Sequence, residues 1–373
     1  MWNGLFAHTD PVTKQTLTVG LMADPGLPEA VARSVVSLVN QDLNQLTQTD
    51  FVEWSVEVSR DTLPLTEQNE IHLLDRAPGL RDAHGWDYMI YLTDLPRSLD
   101  NNSLVCEVDV TGNATLVSLP ALGALHVKSR ARRVLTELVI AMAEESPGKY
   151  TTGYPRRFSR RNWQKVQREG DEENYEIILR GAFSRPRLLA GMVRSNRPMR
   201  LLPALSSSVA TAVATGGFGI FYASIWNMSD ALSTPRMAAI SVFVVAAFAT
   251  WLIVHNGLWV SSESAGGRIR SGLDNAATVL TVGIGVASMY LVLWAILFAV
   301  TLAVVNTEYL AGDIGHPVNL LDYLDIAWLA SALGMMGGAM GSNFDKESDI
   351  REATYTRREY TRRKMAEREE NQD

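Results

Sequence analysis

The chain has 373 residues, of which 47% are hydrophobic and 20% charged, and its formal net charge at pH 7 is −7. This acidic balance argues against nucleic acid as a partner, and the lone Cys106 excludes an internal disulfide and a zinc site built from several cysteines. Because Cys106 lies in an alternating apolar run, we interpret it as a buried structural thiol.

Strand and helix patterns alternate through residues 1–149. Apolar or alternating runs bounded by turn residues predict five strands, at 16–22, 51–58, 86–92, 104–108 and 114–119. Apolar residues at three- and four-residue spacing predict two amphipathic helices, one entered at Pro28 and one over 128–145. The turn sequence Val110-Thr111-Gly112-Asn113 is typical of a hairpin between the last two strands. This order predicts an α/β sheet with a mixed edge.

Polar residues follow the predicted strands at their carboxyl ends, where open α/β sheets bind ligands. The candidates for a ligand-binding site are Asp24, Thr93, Asp94, Arg97 and Ser118. The alternative is that these residues only provide the polar loops that any such sheet has at its strand ends.

Motifs for common catalytic and cofactor sites are missing from the sequence. There is no P-loop, no dinucleotide-binding glycine pattern and no Gly-x-Ser-x-Gly elbow. The histidines show no pair at metal-ligand spacing and are interpreted as surface or boundary residues: His8, His72, His84, His126, His255 and His316. We therefore expect no catalytic residue, no metal ligand and no cofactor.

Three segments between residues 87 and 145 carry a family resemblance: DYMIYLTDLP, ATLVSLPALG and RARRVLTELVIAMAEE. Their order resembles the archaemetzincin-type zinc peptidases, whose helix bears His-Glu-x-x-His for zinc binding and general base catalysis. Of that motif only Glu137 is present, because Thr136 and Ile140 stand at the histidine positions. The resemblance implies a zincin-like fold without its metal, or, as the enzyme alternative, a degenerate hydrolase domain on a membrane.

Arg outnumbers Lys 28 to 6. This ratio is typical of proteins encoded by GC-rich genomes, such as those of actinobacteria.

Residues 150–200 are predicted to form a basic connector of juxtamembrane helices. One interpretation is a solvated connector, and the other is an amphipathic segment that docks on anionic lipid. The candidates for membrane-surface contact lie nearest the apolar region: Arg185, Arg187, Arg194, Arg197 and Arg200.

Residues 201–342 hold four apolar runs, over 205–226, 237–259, 276–305 and 326–341. A bilayer core about 30 Å thick needs about 20 apolar residues in a helix. The first two runs fit this length, whereas the third is long enough to tilt or to begin as an interfacial helix. The fourth spans the core only if residues 320–324 join it. The predicted fold class is thus an α/β soluble N-terminal domain plus an all-α four-helix transmembrane bundle.

The distribution of charged loops predicts the orientation. The N-terminal stretch lacks the basic start and apolar core of a secretory signal. Basic residues flank the first apolar run and lie between the second and third runs. The loop 306–325 holds four acids and no Lys or Arg, and Arg236 alone departs from the positive-inside rule. We expect a multi-pass protein of the plasma membrane (the bacterial inner membrane) with both termini in the cytoplasm.

The fourth run contains two overlapping Gly-x-x-x-Gly pairs, which let helices approach closely in lipid. The predicted packing residues are Gly334, Gly337, Gly338 and Gly341. Glycine is also common in membrane helices generally, which leaves a lipid-facing alternative open.

The leading functional hypothesis is a membrane-anchored receptor or scaffold whose cytosolic α/β domain binds a cytosolic protein partner or ligand. Membrane lipid and a second copy of the chain, as a homo-oligomer, are further expected contacts. The tail 343–373, with balanced charges, is predicted to be a solvated docking helix. A channel or transporter is the other alternative, although its ionisable candidates, His255 and Asp325, lie near span ends.

Overall fold

The protein was examined as a computed structural model, which describes residues 15–47, 52–61, 63, 73–99, 102–145, 163–167, 174–260, 268–342, 345 and 350. The chain divides into two compact units, the first ending at Ser195 and the second beginning at Asn196. Except for Asp345 and Ile350, the predicted tail helix lies outside the described residues.

The first unit is built around one mixed sheet. Its described strands are β1 (Gln15–Ala23), β2 (Val52–Arg60), β3 (Tyr88–Thr93), β4 (Ser98–Leu99), β5 (Asn102–Asp109), β6 (Ala114–Ser118), β7 (Trp163–Gln167) and β8 (Tyr175–Leu179). They follow the order β2-β1-β3-β6-β5-β8-β7, with β4 paired to β5. The strands from β2 to β6 in this order are parallel, and β5, β8 and β7 continue antiparallel. The predicted α/β class with a mixed edge is confirmed.

Burial explains why the central strands formed where the apolar runs predicted them. Every residue of β3 and β6 is buried, as expected for parallel strands covered on both faces. The edge strand β2 is only partly buried, and the side chain of Asn44 pairs with it. Asn44 accepts a hydrogen bond from the Trp54 N–H at 2.9 Å and donates one to the Trp54 carbonyl at 3.0 Å. This pairing satisfies edge groups that would otherwise be open to another strand.

Four helices accompany the sheet: α1 (Leu27–Thr47), α2 (Leu73–His84), α3 (Val127–Glu145) and α4 (Ser184–Asn196). Helices α1 and α3 pack against each other, and both were predicted from their apolar stripes. Helix α2 was not predicted, because Pro78 lies inside it and its apolar stripe is weak.

The sheet extends into the segment that was predicted as a connector. Strand β8 has the sequence YEIIL, is buried throughout and pairs with β5, while β7 forms the outer edge. Charged residues on both sides of this short apolar run dominated the sequence pattern. Helix α4 also belongs mainly to this unit, since Gly191 lies directly against the carbonyl of Pro120, with no room for a side chain.

The second unit is helical. Its helices are α5 (Leu201–Ala204), α6 (Ser206–Ile220), α7 (Ala223–Ala231), α8 (Thr234–His255), α9 (Arg268–Val304), α10 (Thr307–Ile314) and α11 (Leu320–Gly341). Three of them, α8, α9 and α11, are long and apolar enough to cross a membrane. A fourth span arises if the bent pair of segments Ser184–Ala204 and Ser206–Ile220 counts as one.

One apolar run is divided between two helices. The first run, 205–226, is broken, because α6 ends at Ile220 and Tyr222 takes an extended conformation before α7. The indole N–H of Trp226 donates to the Ile220 carbonyl at 2.8 Å and satisfies the free end of α6. The fourth apolar run was expected to reach the length of a span only if residues 320–324 joined it. Helix α11 does start at Leu320, where Asn319 and Asp322 form a capping box.

Candidate functional site

A buried hydrogen-bonded cluster occupies the carboxyl ends of β1 and β3. The Asp24 carboxylate is fully buried and accepts a hydrogen bond from the Tyr91 hydroxyl at 2.5 Å and another from the Thr93 hydroxyl at 2.7 Å. The backbone N–H of Leu63 donates to the Tyr91 hydroxyl at 3.0 Å. Because a buried carboxylate needs hydrogen bonds to replace water, these contacts hold Asp24 in place.

The remaining predicted strand-end residues lie around this cluster. Ser118 donates to the Leu95 carbonyl at 2.8 Å, and the Leu95 N–H donates to Thr93 at 3.1 Å. Arg97 is instead directed to β5, where its guanidinium lies 3.0 Å from the Glu107 carboxylate. Asp94 is 1% exposed. The structure therefore brings Asp24, Thr93 and Ser118 to one edge in contacts internal to the domain, and ligand binding there stays a prediction.

A groove between α1 and α3 forms a cavity in the described part of the α/β domain. Its volume is about 460 Å³, within the range of about 300–1,000 Å³ usual for small-molecule sites. It is lined by Ser34, Val35, Leu38, Asp42, Leu46, Lys128, Ser129, Arg132, Arg133, Thr136 and Glu137. The lining combines an apolar strip on α1 with hydroxyl and basic groups, mostly on α3.

One side of the groove is fixed by an ion pair. Arg132 donates two hydrogen bonds to Asp42, at 2.7 Å from Nε and 2.6 Å from Nη2. These hydrogen bonds raise the pKa of Arg132 above its ordinary value. Such a two-point contact orients both side chains and joins α1 to α3 across 90 residues of sequence.

The charge that remains free of this pair is concentrated at the rim. Lys128 and Arg133 are exposed there, whereas Glu137 is 9% exposed. Thr136 uses its hydroxyl to donate to the Arg132 carbonyl, and Ile140, the other position compared with zinc-peptidase histidines, is buried. The groove thus presents positive charge and hydroxyl groups beside an apolar wall.

The arginines predicted at the membrane surface divide into two groups. Arg187 donates to the Leu122 carbonyl at 3.2 Å, and Arg194 donates to the Ala124 carbonyl. These two side chains therefore attach α4 to the loop after β6. Arg185 and Arg200 are exposed, and Arg197 is partly buried with a left-handed backbone, φ 52°.

The four glycines predicted for helix packing all lie against α6. A Cβ at Gly334 would lie 2.6 Å from the Ala212 carbonyl oxygen, and one at Gly338 would lie 3.0 Å from both Ala212 Cβ and the Ser208 carbonyl oxygen. Gly337 and Gly341 face threonines of α6 just as closely. No side chain fits at these positions without moving α6, so the two helices are in backbone contact.

A polar network that the sequence analysis missed joins α8, α9 and α11. The Trp328 indole N–H donates to Ser241 Oγ at 2.6 Å, and Ser241 Oγ lies 2.9 Å from the Tyr290 hydroxyl. Tyr290 also donates to the Trp328 carbonyl at 3.1 Å. Only ionisable residues of the apolar region were candidates for polar contacts in the sequence analysis. Uncharged hydrogen-bonding side chains such as Ser241 and Trp328 were therefore not predicted.

Three side chains of metal-ligating type lie together in the helical unit. In the described chain, Asp230, His316 and Asp322 form a group whose ligand atoms all lie within 4.8 Å of one another.

Cys106, in the sheet, is buried and forms no disulfide, and burial raises the pKa of its thiol. A protonated buried thiol is unreactive, which agrees with the structural role expected from its sequence position.

Comparisons with known proteins place the chain in no family. A scan against protein-family models and searches among curated proteins and solved structures found no match.

Proposed function

We propose that the chain is a multi-pass membrane protein that anchors an α/β receptor domain at the cytoplasmic face of the plasma membrane. The α1–α3 groove of that domain would bind an anionic cytosolic ligand or partner segment. The helical unit supplies the anchor, and the α6–α11 contact supplies its stability.

The observation that carries this proposal is the apolar exterior of the spanning-length helices. Five apolar side chains on α8, α9 and α11 are each between 63% and 75% exposed, namely Val242, Phe243, Val254, Leu291 and Met340. A water-soluble protein rarely leaves so many large apolar side chains this exposed on its longest helices. Hydrocarbon removes this penalty, since lipid tails are as apolar as the side chains they contact.

The chemistry of the groove supports an anionic occupant. Lys128 and Arg133 provide charge at the rim, and Ser129 provides a hydrogen-bond donor beside them, whereas the Ser34 hydroxyl donates to the Val31 carbonyl of its own helix. Val35 and Leu38 form an apolar wall next to these groups. A ligand or peptide segment with a carboxylate or phosphate beside an apolar portion would match both features.

Membrane insertion is tested by fractionation. After expression, the chain should stay with the membrane pellet through washes with sodium carbonate and with urea, and should leave it only in detergent. Release by carbonate would show a peripheral protein and would contradict the proposal.

Groove binding is tested by affinity capture with the intact, detergent-solubilised protein, read by mass spectrometry. A Lys128→Glu/Arg133→Glu variant should lose partners that the wild type retains, because the rim becomes negative. Arg180→Glu, an exposed substitution outside the groove, serves as the control. If the double variant and the control capture the same partners as wild type, the groove is not the binding site.

A further inference from the structure

A second candidate site lies in the helical unit, where three elements bring metal-ligating groups together. Asp230 comes from α7, His316 from the loop after α10, and Asp322 from the first turn of α11. We propose that these three residues bind a divalent transition-metal ion of the zinc class. This inference does not depend on the groove.

The geometry allows a shared ion with small side-chain movements. The ligand atoms lie within 4.8 Å of one another, whereas ligands about 2.1 Å from a tetrahedral zinc ion are separated by about 3.4 Å. Asp230 and His316 have partly open side chains, 42% and 39% exposed, so they can turn toward an ion without repacking a core. The site is also open to an ion from solvent.

His316 places both ring nitrogens beside oxygen acceptors. Its Nδ1 lies 3.1 Å from the Pro317 carbonyl oxygen, and its Nε2 lies 2.9 Å from Asp230 Oδ1. Both neighbours are acceptors, so a neutral imidazole can satisfy only one of them. The Nε2–Oδ1 separation of 2.9 Å is that of a hydrogen bond, so a metal ion bound by both atoms would replace the proton and would require the two atoms to move apart.

The arrangement around His316 is the one that metal-binding histidines commonly have. A ring N–H donated to a backbone carbonyl leaves the other nitrogen free to coordinate and fixes the ring orientation. Asp322 is held in the same way, because the backbone N–H of Asn319 donates to its Oδ2 at 2.6 Å. Its Oδ1 accepts a longer hydrogen bond from Asn319 Nδ2, at 3.5 Å, and the remaining lone pairs of the carboxylate stay available for an ion.

The surrounding charge favours a cation. Asp325, which is not one of the three ligand residues, interacts electrostatically with both Asp230 and Asp322. The segment 306–325 contains four acids and no Lys or Arg. One imidazole with two carboxylates suits zinc, manganese or ferrous iron, and leaves coordination positions for water.

The test is Zn²⁺ titration of the full chain in detergent, purified with a histidine-free tag and stripped with a chelator. We expect one Zn²⁺ per chain with weaker binding of Mn²⁺, as the general affinity order predicts. His316→Ala should weaken Zn²⁺ binding by at least about 100-fold, more than the roughly 10–100-fold typical of losing an outer-shell partner. Asp230→Asn, which keeps the side-chain shape, should also weaken it.

Glu308→Gln provides the matched control, because Glu308 is an exposed acid of the same loop region outside the group. Its affinity should stay within twofold of wild type, and thermal unfolding in chelator should show that each variant is folded. Absence of saturable Zn²⁺ binding by the wild type would overturn the proposal. Unchanged binding by folded His316→Ala would overturn it equally.

Competition between proton and metal gives a further readout. The ionisable groups that face His316 are Asp230 of α7 and Asp322 of α11, with Asp325 beside them. Once the imidazole is protonated in the free protein, Zn²⁺ affinity should fall about tenfold per pH unit as the solution is acidified. An affinity independent of pH in the wild type would contradict His316 as a ligand.

Discussion

The two units of the chain distribute apolar side chains in opposite ways. In the described residues, 24 of the 27 exposed large hydrophobic side chains lie in the helical unit, and the α/β unit contributes Leu38, Leu125 and Phe183. The sheet buries Met89 and Ile90 completely, whereas α8 leaves Val242 and Val254 open. The two units thus differ in how many large apolar side chains they leave exposed.

The interiors differ as well, and the difference shows what holds each unit together. The core of the α/β unit is made of large side chains, so the hydrophobic effect drives its packing. The contact between α6 and α11 is made by glycine against backbone and small side chains, as at Gly334 and Ala212. Close van der Waals packing replaces the hydrophobic effect where the solvent is itself apolar. This contrast is the one expected if the helical unit lies in lipid, as proposed above.

The largest effect is expected for Asp24→Ala in the α/β unit. The change removes the hydrogen bonds that Asp24 accepts from the buried hydroxyls of Tyr91 and Thr93, and hydrogen bonds to a charged group contribute about 1.5–3 kcal/mol each. We expect a loss of about 4 kcal/mol of local stability, seen as faster amide hydrogen exchange in β1 and β3. Asp82→Ala, at an exposed position of α2, should exchange like wild type. Normal protection in the Asp24 variant would contradict the structural role of the cluster.

Gly338→Leu should have the next largest effect, now in the helical unit. A leucine would overlap the Ser208 carbonyl and Ala212, and overpacking of this kind costs about 1–3 kcal/mol or more. Thermal unfolding in detergent and mass by light scattering measure the loss. Gly217→Leu is the matched control, because a Cβ at Gly217 meets nothing within 4 Å. Equal behaviour of the two variants would show that backbone contact does not stabilise this unit.

Ser241→Ala tests the polar network and should have a smaller effect. It removes the acceptor of the Trp328 indole and a partner of Tyr290, while interhelical polar pairs in membranes contribute about 0.6 kcal/mol on average. We expect a loss of about 1 kcal/mol, measured by unfolding in detergent. Ser288→Ala is the control, since Ser288 bonds only to its own helix, at Ile284. A loss as large as that of Gly338→Leu would show that polar contacts dominate the packing.

The smallest effect concerns the pH dependence of the loop that carries His316. The hydrogen bond to Asp230 raises the pKa of His316 above 6.5 in the folded chain. The stabilisation is therefore fully present below pH 6.5 and is lost as the pH rises through the raised pKa. In the presence of chelator, His316→Gln should flatten this slope in hydrogen exchange of α10 and its flanking residues. An unchanged slope would assign the pH dependence to another group.

Local periodicity predicted most of the α/β elements, and helix length predicted the apolar helices. The strands β1, β2, β3, β5 and β6 and helices α1 and α3 all repeat apolar residues within one element, so neighbouring residues contain the signal. Strand β8 was not predicted, because its five residues between charged stretches are too few to show a periodic pattern. The break in the helix after Ile220 was not predicted, because no proline lies there.

The candidate sites were harder to predict for a different reason. Asp42 and Arg132 are 90 residues apart, and Asp230 and His316 are 86 apart, so only the fold reveals either pair. The strand-end residues Asp24 and Thr93 were found because topology places the ends of parallel strands together. What no pattern could show is that their polar groups are bonded to each other.

The central claim, that the helical unit crosses the membrane and the α/β domain remains in the cytoplasm, is tested most directly by cysteine labelling. The native chain offers a silent background, because its lone Cys106 is buried. Gly312→Cys lies at an exposed position of α10, and Ser129→Cys lies on the α1–α3 groove. With a membrane-impermeant maleimide, intact cells or spheroplasts should label Gly312→Cys, whereas Ser129→Cys should react only after permeabilisation. Labelling of both in intact cells, or of Ser129→Cys alone, would contradict this topology.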